Sequence, residues 1–280
     1  MTLSIERPAA SSAGEYFDQR FRLEDLLGRG AEAEVHRATD LRTGKQVALK
    51  IYHGPGNRND RCREVLIHGG LRHRHIVALY DRGPAGHPSL PAYAVLELVE
   101  GTTLQGILRA GPVESGLAAS WYRGLLKALA HVHARGIVHH DIKPSNILIP
   151  RGRDGRPSGT AKLADFGIAS SPCLPCDSPG YGTAHYMSPE QAAGGIPGTA
   201  GDVYALGLVI LESLTGAKPF PASPIPSMVA RTRHVPRIPD TVPRQWAELI
   251  AAMTTIDPAH RATAREALRL LRRVRRGTAQ

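Results

Sequence analysis

The sequence predicts an α+β fold in two lobes, a small antiparallel sheet followed by a mainly helical lobe, and three observations lead there. First, residues 21–27 read as a strand that enters the glycine turn Gly28-Arg29-Gly30 and returns as a second strand through Val35, with Val47-Ala48-Leu49-Lys50 as a third. Second, residues 92–99 form an apolar run interrupted only by Glu97 and ending at Glu100-Gly101, the pattern of a buried strand entering a linker, which divides the chain into two lobes. Third, residues 117–135 repeat apolar side chains at helical spacing, with Trp121, Leu125, Leu129 and Val132 on one stripe and Gly136 as the stop.

Taken in order, residues 1–20 lack periodicity and are expected to form a flexible N-terminal tail. The smaller lobe is expected over 21–99. In its third strand, alternation puts Ala48 and Lys50 on one face. His131 and His133, near the end of the 117–135 helix, are expected to be solvated or capping rather than ligands. Residues 151–159 are longer and more basic than a tight hairpin needs and read as a surface insertion. Residues 167–188, rich in Pro, Ser and Gly, read as a flexible segment carrying Ser170, Ser171, Ser178 and Thr183. Residues 265–276 read as a final helix with one solvated, arginine-rich face, and the second lobe is expected over 100–272 with a basic tail at 273–280.

A chain of 280 residues with 42% hydrophobic content can bury a sizeable core and is globular rather than disordered. Thirty-five Lys and Arg against 25 Asp and Glu leave a net charge of +10, which favours anionic partners such as nucleotides. That charge is spread without a basic domain, so nucleic acid is not expected. No segment approaches the roughly 20 apolar residues of a membrane span and the N-terminus has no secretory pattern, so a cytoplasmic protein is expected. Cys62, Cys173 and Cys176 make no disulfide framework. The pair Cys173-Leu174-Pro175-Cys176 could close a small disulfide or supply half of a zinc site, with Cys62 and His185 to complete it, but two free thiols are the simpler reading in a reducing compartment.

The chemistry concentrates in Val138-His139-His140-Asp141-Ile142-Lys143-Pro144-Ser145-Asn146, where one short loop offers a carboxylate, a cation and an amide oxygen. Downstream, a strand through Ala161-Lys162-Leu163-Ala164 delivers a second carboxylate in Asp165-Phe166-Gly167. Phosphoryl transfer needs a positioned acceptor hydroxyl, neutralised phosphate charge and cations bridging phosphate oxygens, and these residue types match that need. The ordered set of His139-His140-Asp141, Asn146, Asp165-Phe166-Gly167 and Val47-Ala48-Leu49-Lys50 resembles the bacterial eukaryotic-like (Hanks-type) serine/threonine protein kinases over roughly residues 20–272.

That resemblance implies a two-lobed protein kinase fold, with an N-lobe sheet plus one main helix and a mainly helical C-lobe, and ATP in the cleft between them. It implies Asp141 as the base for the acceptor hydroxyl, Lys143 as balance for the transferred charge, and Asn146 and Asp165 as ligands of Mg²⁺, with Mn²⁺ as the alternative ion. Lys50 would align the α and β phosphates with Glu64 fixing its rotamer. Gly28, Arg29, Gly30, Val35, Ala48, Leu96 and Leu148 would line the ATP site, with the backbone of Glu97 and Val99 pairing adenine. Asp202 would brace the catalytic loop, and Glu190 would pair with Arg261. Residues 167–188 resemble the activation segment, on which an acceptor peptide lies. Two positions depart from the pattern: Ala33 stands for a third loop glycine, and His140 for an arginine that grips an activation-segment phosphate. The expected function is ATP-dependent transfer to Ser or Thr of protein substrates, with autophosphorylation; the alternatives are a pseudokinase acting as a scaffold and a small-molecule phosphotransferase. With no membrane helix before Gln280, regulation is expected through the catalytic domain or a partner.

Overall fold

The computed structural model describes residues 15–30, 33–53, 67–83, 90–166, 169–170, 185–196, 198–220 and 223–277. They divide into two compact units, the smaller holding the described residues up to 53 and 79–98, the larger 67–78 and the described residues from 99 onward.

The smaller unit is an antiparallel sheet of β1 (Tyr16–Phe17), β2 (Phe21–Arg29), β3 (Ala33–Asp40), β4 (Lys45–Tyr52), β5 (Leu79–Arg82) and β6 (Tyr93–Glu97), ordered β1-β2-β3-β4-β6-β5. Strand alternation gives the sheet two distinct faces. Phe21, Ala38, Val47, Leu49, Ile51, Tyr93 and Val95 pack together as one core. Cross-strand pairing of Val35 with Lys50, Lys50 with Ala94, and Ala48 with Leu96 puts those side chains on the opposite face.

Residues 15–20, expected in a tail, belong to this sheet. Phe17 meets Tyr93 edge-on with ring centroids 5.3 Å apart, and Tyr93 Oη donates to Asp18 Oδ2 at 2.5 Å. Arg20 donates twice to Asp40 at 3.0 Å and once to Asp81 at 2.6 Å. Two aromatic side chains and one arginine anchor a stretch too short to show any periodicity.

The larger unit contains β7 (Gly101–Thr103), α1 (Leu104–Leu108), α2 (Ser115–His133), a 3-10 turn (Pro144–Asn146), β8 (Ile147–Pro150), β9 (Lys162–Leu163), α3 (Pro189–Ala192), α4 (Thr199–Thr215), α5 (Pro224–Arg233), α6 (Arg244–Met253) and α7 (Ala264–Gly277). Glu114 opens α2 by accepting the amides of Gly116 and Leu117 at 2.7 and 2.8 Å, and the chain turns away at Gly136 with φ +68°. Trp121, Tyr122 and Leu125 of α2 join Tyr204 and Leu208 of α4, Trp246 of α6 and Leu271 of α7 in one core.

Two further boundaries move. Val274 is buried in the core, so α7 continues through 273–277, where a basic tail was expected: apolar positions at helical spacing outweigh the charge between them. Residues 67–78, expected in the smaller lobe, join the larger unit because their backbone is paired there. Val77 N donates to Leu163 O at 2.9 Å and the His75 ring bonds Ala161 O at 2.9 Å. Gly124 of α2 admits that ring, since a Cβ there would lie 2.5 Å from His75 Cε1.

The short helix α3 is fixed by two sets of contacts in its first turn. Ser188 and Gln191 form a capping box, and Glu190 accepts a two-pronged pair from Arg261 at 2.7 and 2.9 Å. The remaining Arg261 donors reach the carbonyls of Thr255, Ala200 and Ile256, so all five N–H groups are used. The Arg261 side chain is 0% exposed and that of Glu190 16%.

Removing one member of so enclosed a pair strands the other charge, at a cost of about 3–5 kcal/mol. Arg261→Ala is therefore expected to lower the melting temperature by about 10 °C in a calorimetric scan, with Arg261→Lys recovering only part because an ammonium cannot fork. Equal melting of Arg261→Ala and the parent chain would contradict the assignment.

Candidate active site

The loop after α2 is suspended from the first turn of α4. The amides of His139 and His140 donate to Asp202 Oδ2 and Oδ1, each at 2.9 Å, and His133 Nε2 meets Oδ2 at 2.9 Å. Burial alone would raise the Asp202 pKa, but its bonds to His133, the nearby charges and the amides outweigh burial and hold it below the usual carboxylate range. A helix N-terminus favours the same anionic state. His133, expected to be solvated or capping, instead sits against Asp202. Its position one helical turn before the loop was the only available signal.

From that support the chain turns at His140, with φ +66°, and presents Asp141. Lys143 Nζ lies 2.7 Å from Asp141 Oδ2, and Asn146 Nδ2 donates to the same oxygen and to the Asp141 carbonyl, both at 2.9 Å. The 3-10 turn brings Asn146 back over Lys143, whose carbonyl accepts the Asn146 amide at 3.0 Å. Three polar side chains predicted as a group thus form a single hydrogen-bonded cluster.

The antiparallel register of β8 and β9 adds the second carboxylate. Ile147 pairs with Leu163, and Ala164 N donates to Asn146 O at 2.9 Å, which leaves Asn146 and Asp165 at the same end of the ribbon. Asp165 has φ +63° and is exposed. Phe166, fully buried, packs between the rings of His68 and His139 at 4.9 and 4.6 Å. His139 Nδ1 accepts the Asp141 amide at 3.3 Å, so Nε2 carries the proton donated to Ala164 O at 3.1 Å. One histidine ring therefore ties the Asp141 loop to the ribbon carrying Asp165.

His140 makes a contact that no sequence pattern indicated. Its Nε2 lies 2.6 Å from Ser170 Oγ, while Val138 and Ser170 exchange two backbone hydrogen bonds at 2.9 and 3.0 Å. Burial pushes the His140 pKa down, against the raising influence of Asp202, and its Nδ1 has no hydrogen-bond partner among the described residues. A neutral ring bonded to a serine hydroxyl thus occupies the position. His131, by contrast, packs its ring 5.2 Å from that of His73.

In the smaller unit, Val35, Ala48, Lys50 and Leu96 share the face opposite the Phe21 core, and Lys50 Nζ lies 5.2 Å from the Tyr52 ring. Gly28 pairs with Val35 beside a register shift, Arg29 binds Glu34 at 3.1 Å, and Gly30 N closes onto Ala33 O at 2.8 Å. Glu97 pairs with Val47 on the other face. Val99 and Leu148 belong to the larger unit and are half-buried. Glu64, Cys62, Gly167, Ser171, Cys173, Cys176, Ser178 and Thr183 lie outside the described residues.

Among the described residues no three His, Cys, Asp or Glu side chains converge as a metal cage. A hard cation held largely by phosphate and water needs only one or two protein oxygens. Because the Asn146 NH₂ group is spent on Asp141, its Oδ1 is left to act as a ligand beside the exposed Asp165 carboxylate. That donor set suits a hard divalent cation and not a soft metal.

A sequence model described as "Protein kinase domain" matches residues 21–270. The chain is 36% identical over 262 residues to the serine/threonine-protein kinase PrkC of Bacillus subtilis, covering 89% of this chain and 39% of that protein. It is 37% identical over 259 residues to the serine/threonine-protein kinase PknL of Mycobacterium tuberculosis, covering 87% and 62%. It is 34% identical over 283 residues to the serine/threonine-protein kinase PknB of Mycolicibacterium smegmatis, covering 95% and 44%. The chain therefore spans 39% to 62% of the length of these relatives.

Because Asp202 is held below its ordinary pKa, its contribution to stability is complete above about pH 4 and lost as the pH falls through the lower folded value. Asp202→Asn should be less stable at neutral pH yet lose less on acidification, giving a flatter plot of melting temperature against pH between 7 and 3. Parallel plots for the two proteins would contradict the role given to this carboxylate.

Proposed function

Because the chain belongs to the protein kinase domain family, we propose that it is an ATP-dependent serine/threonine protein kinase, moving the γ-phosphoryl group to hydroxyls of protein substrates and to its own. The observation that carries this reading is the Asp141–Lys143–Asn146 cluster braced on Asp202 beside the exposed Asp165. The names of the similar proteins support the choice of Ser and Thr as acceptors.

Lys143 and Asn146 both engage Asp141 Oδ2, so Oδ1 is the oxygen we assign to the acceptor hydroxyl. As the hydroxyl oxygen bonds to the γ-phosphorus, its proton passes to Asp141, the bond to the β-bridging oxygen breaks, and ADP leaves with that electron pair. Lys143 offsets negative charge on the group in flight. Asn146 Oδ1 and Asp165 hold the divalent ion, Mg²⁺ in this proposal, and when bound that ion neutralises charge on the phosphate oxygens. Lys50, on the apolar face of β4, is assigned to the α and β phosphates. In the absence of a helix long and apolar enough to cross a membrane among the described residues, a cytoplasmic setting is part of the same proposal.

Transfer of label from γ-labelled ATP to the chain itself and to a basic protein such as histone tests this reading. Asp141→Asn should lower kcat by about 10²–10⁴ with unchanged melting temperature. Turnover near that of the parent would exclude Asp141 as the base.

A second expectation follows from the His140–Ser170 contact. A neutral histidine already bonded to a serine offers no bidentate cation for a phosphate on the activation segment. Phosphatase-treated protein should keep most of its initial rate toward histone. A treated sample that shows a lag until it has phosphorylated itself would refute this.

A further inference from the structure

The chain segment entering α3 is pinned by a buried charge that meets no carboxylate among the described residues. Arg231, on the last turns of α5, is 0% exposed. Its Nη1 donates to Met187 O at 2.5 Å, one Nη2 proton to His185 O at 2.9 Å and the other to Ser227 Oγ at 2.6 Å, and Nε to Ser227 O at 3.0 Å. Ser227 passes the contact on, donating to Phe220 O at 3.4 Å, and the Phe220 ring lies 5.2 Å from the guanidinium carbon. Burial pushes the Arg231 pKa down, with Tyr204 opposing. Among the described residues no acidic side chain makes an ion pair with it. A methionine or leucine would fill the same volume without desolvating a charge, so volume does not account for an arginine.

What the guanidinium adds is a fork that grips two carbonyls two residues apart. The residue between them is held from the other direction: Tyr186 Oη donates to Glu212 Oε2 of α4 at 2.6 Å. Burial raises the Glu212 pKa, and Tyr186 and Lys218 only partly offset it. Residues 185–187 are therefore clamped between α4 and α5. The clamp stands next to the catalytic loop, because Ser188 Oγ lies 3.4 Å from where a Gly201 Cβ would be, and the following residue, Asp202, carries the amides of His139 and His140.

We propose that Arg231 is a positioning residue for the acceptor: by holding the backbone of residues 185–187 it keeps the surface on which the substrate chain lies in register with Asp141. The inference rests on the kinase reading above. Arg231 touches neither nucleotide nor reacting atoms, so its loss acts on docking of the protein substrate and not on ATP.

The test is steady-state kinetics of the full chain with histone and Mg-ATP, varying each in turn, for the parent, Arg231→Met, Arg231→Lys and Ser227→Ala. Arg231→Met is expected to raise the KM for histone about tenfold, since small displacements remote from the chemistry can cost far more, while the KM for ATP stays at the parent value. Arg231→Lys should recover part of the loss, and Ser227→Ala should show a smaller rise of the same kind. If Arg231→Met does not fold, as judged by its melting curve, the Lys and Ser227 variants decide. An unchanged histone KM in the folded variants overturns the proposal, as does a matching rise in the KM for ATP, which marks general structural damage. A parent chain that transfers no phosphate removes the kinase reading and this inference with it, whereas an active parent with indifferent variants removes this inference alone.

Discussion

The larger unit depends on one buried carboxylate. Asp202 is shut away from water at the start of a helix that is itself almost wholly core, a position where an unpaired charge would be costly. Three N–H groups make it tolerable, two from the backbone of the loop that carries Asp141 and one from His133. The dependence is mutual. The carboxylate needs those donors to stay charged and buried, and the loop amides have their partners only while the carboxylate is there. The loop carrying Asp141 thereby acquires the rigidity of the core helix beneath it.

The same turn of α4 organises its surroundings through backbone and space. The Ala200 carbonyl takes one proton of Arg261, which holds Glu190 in α3. Gly201 leaves room for Ser188, the residue that caps α3. Thus three successive residues face three different supports, and the loop carrying Asp141, the helix α3 and the segment between α6 and α7 are all referred to one point. Two arginines divide the polar work around it. Arg261 pairs with a carboxylate and satisfies every donor, while Arg231 spends its charge on backbone carbonyls and the Ser227 hydroxyl.

Much of the site was legible because its residues are close in the chain. Asp141, Lys143 and Asn146 fall within six positions, and the side chains of such a loop have few ways of meeting. The same holds for Ala48 and Lys50, whose common face follows from strand alternation alone. Contacts of long sequence separation were invisible. His133 to Asp202 spans 69 positions, His140 to Ser170 spans 30, and Arg231 to Met187 spans 44. Boundaries failed for a related reason: Phe17 and Val274 are ordered by partners far along the chain, and a short segment shows no pattern of its own.

By itself, then, the sequence determined the α+β class, the strand and helix periodicities, and the local grouping of Asp141, Lys143 and Asn146, because each depends on neighbouring residues and on side-chain chemistry that context does not change. The tertiary structure decided which of those groups are held and in what state. It decided that Asp202 remains an anion, that the His139 ring joins the Asp141 amide to the Ala164 carbonyl, that His140 meets a serine hydroxyl, and that an arginine is buried against carbonyls. Protonation, tautomer and orientation are set by burial and by donors that arrive from distant parts of the chain, and only the folded backbone brings those together.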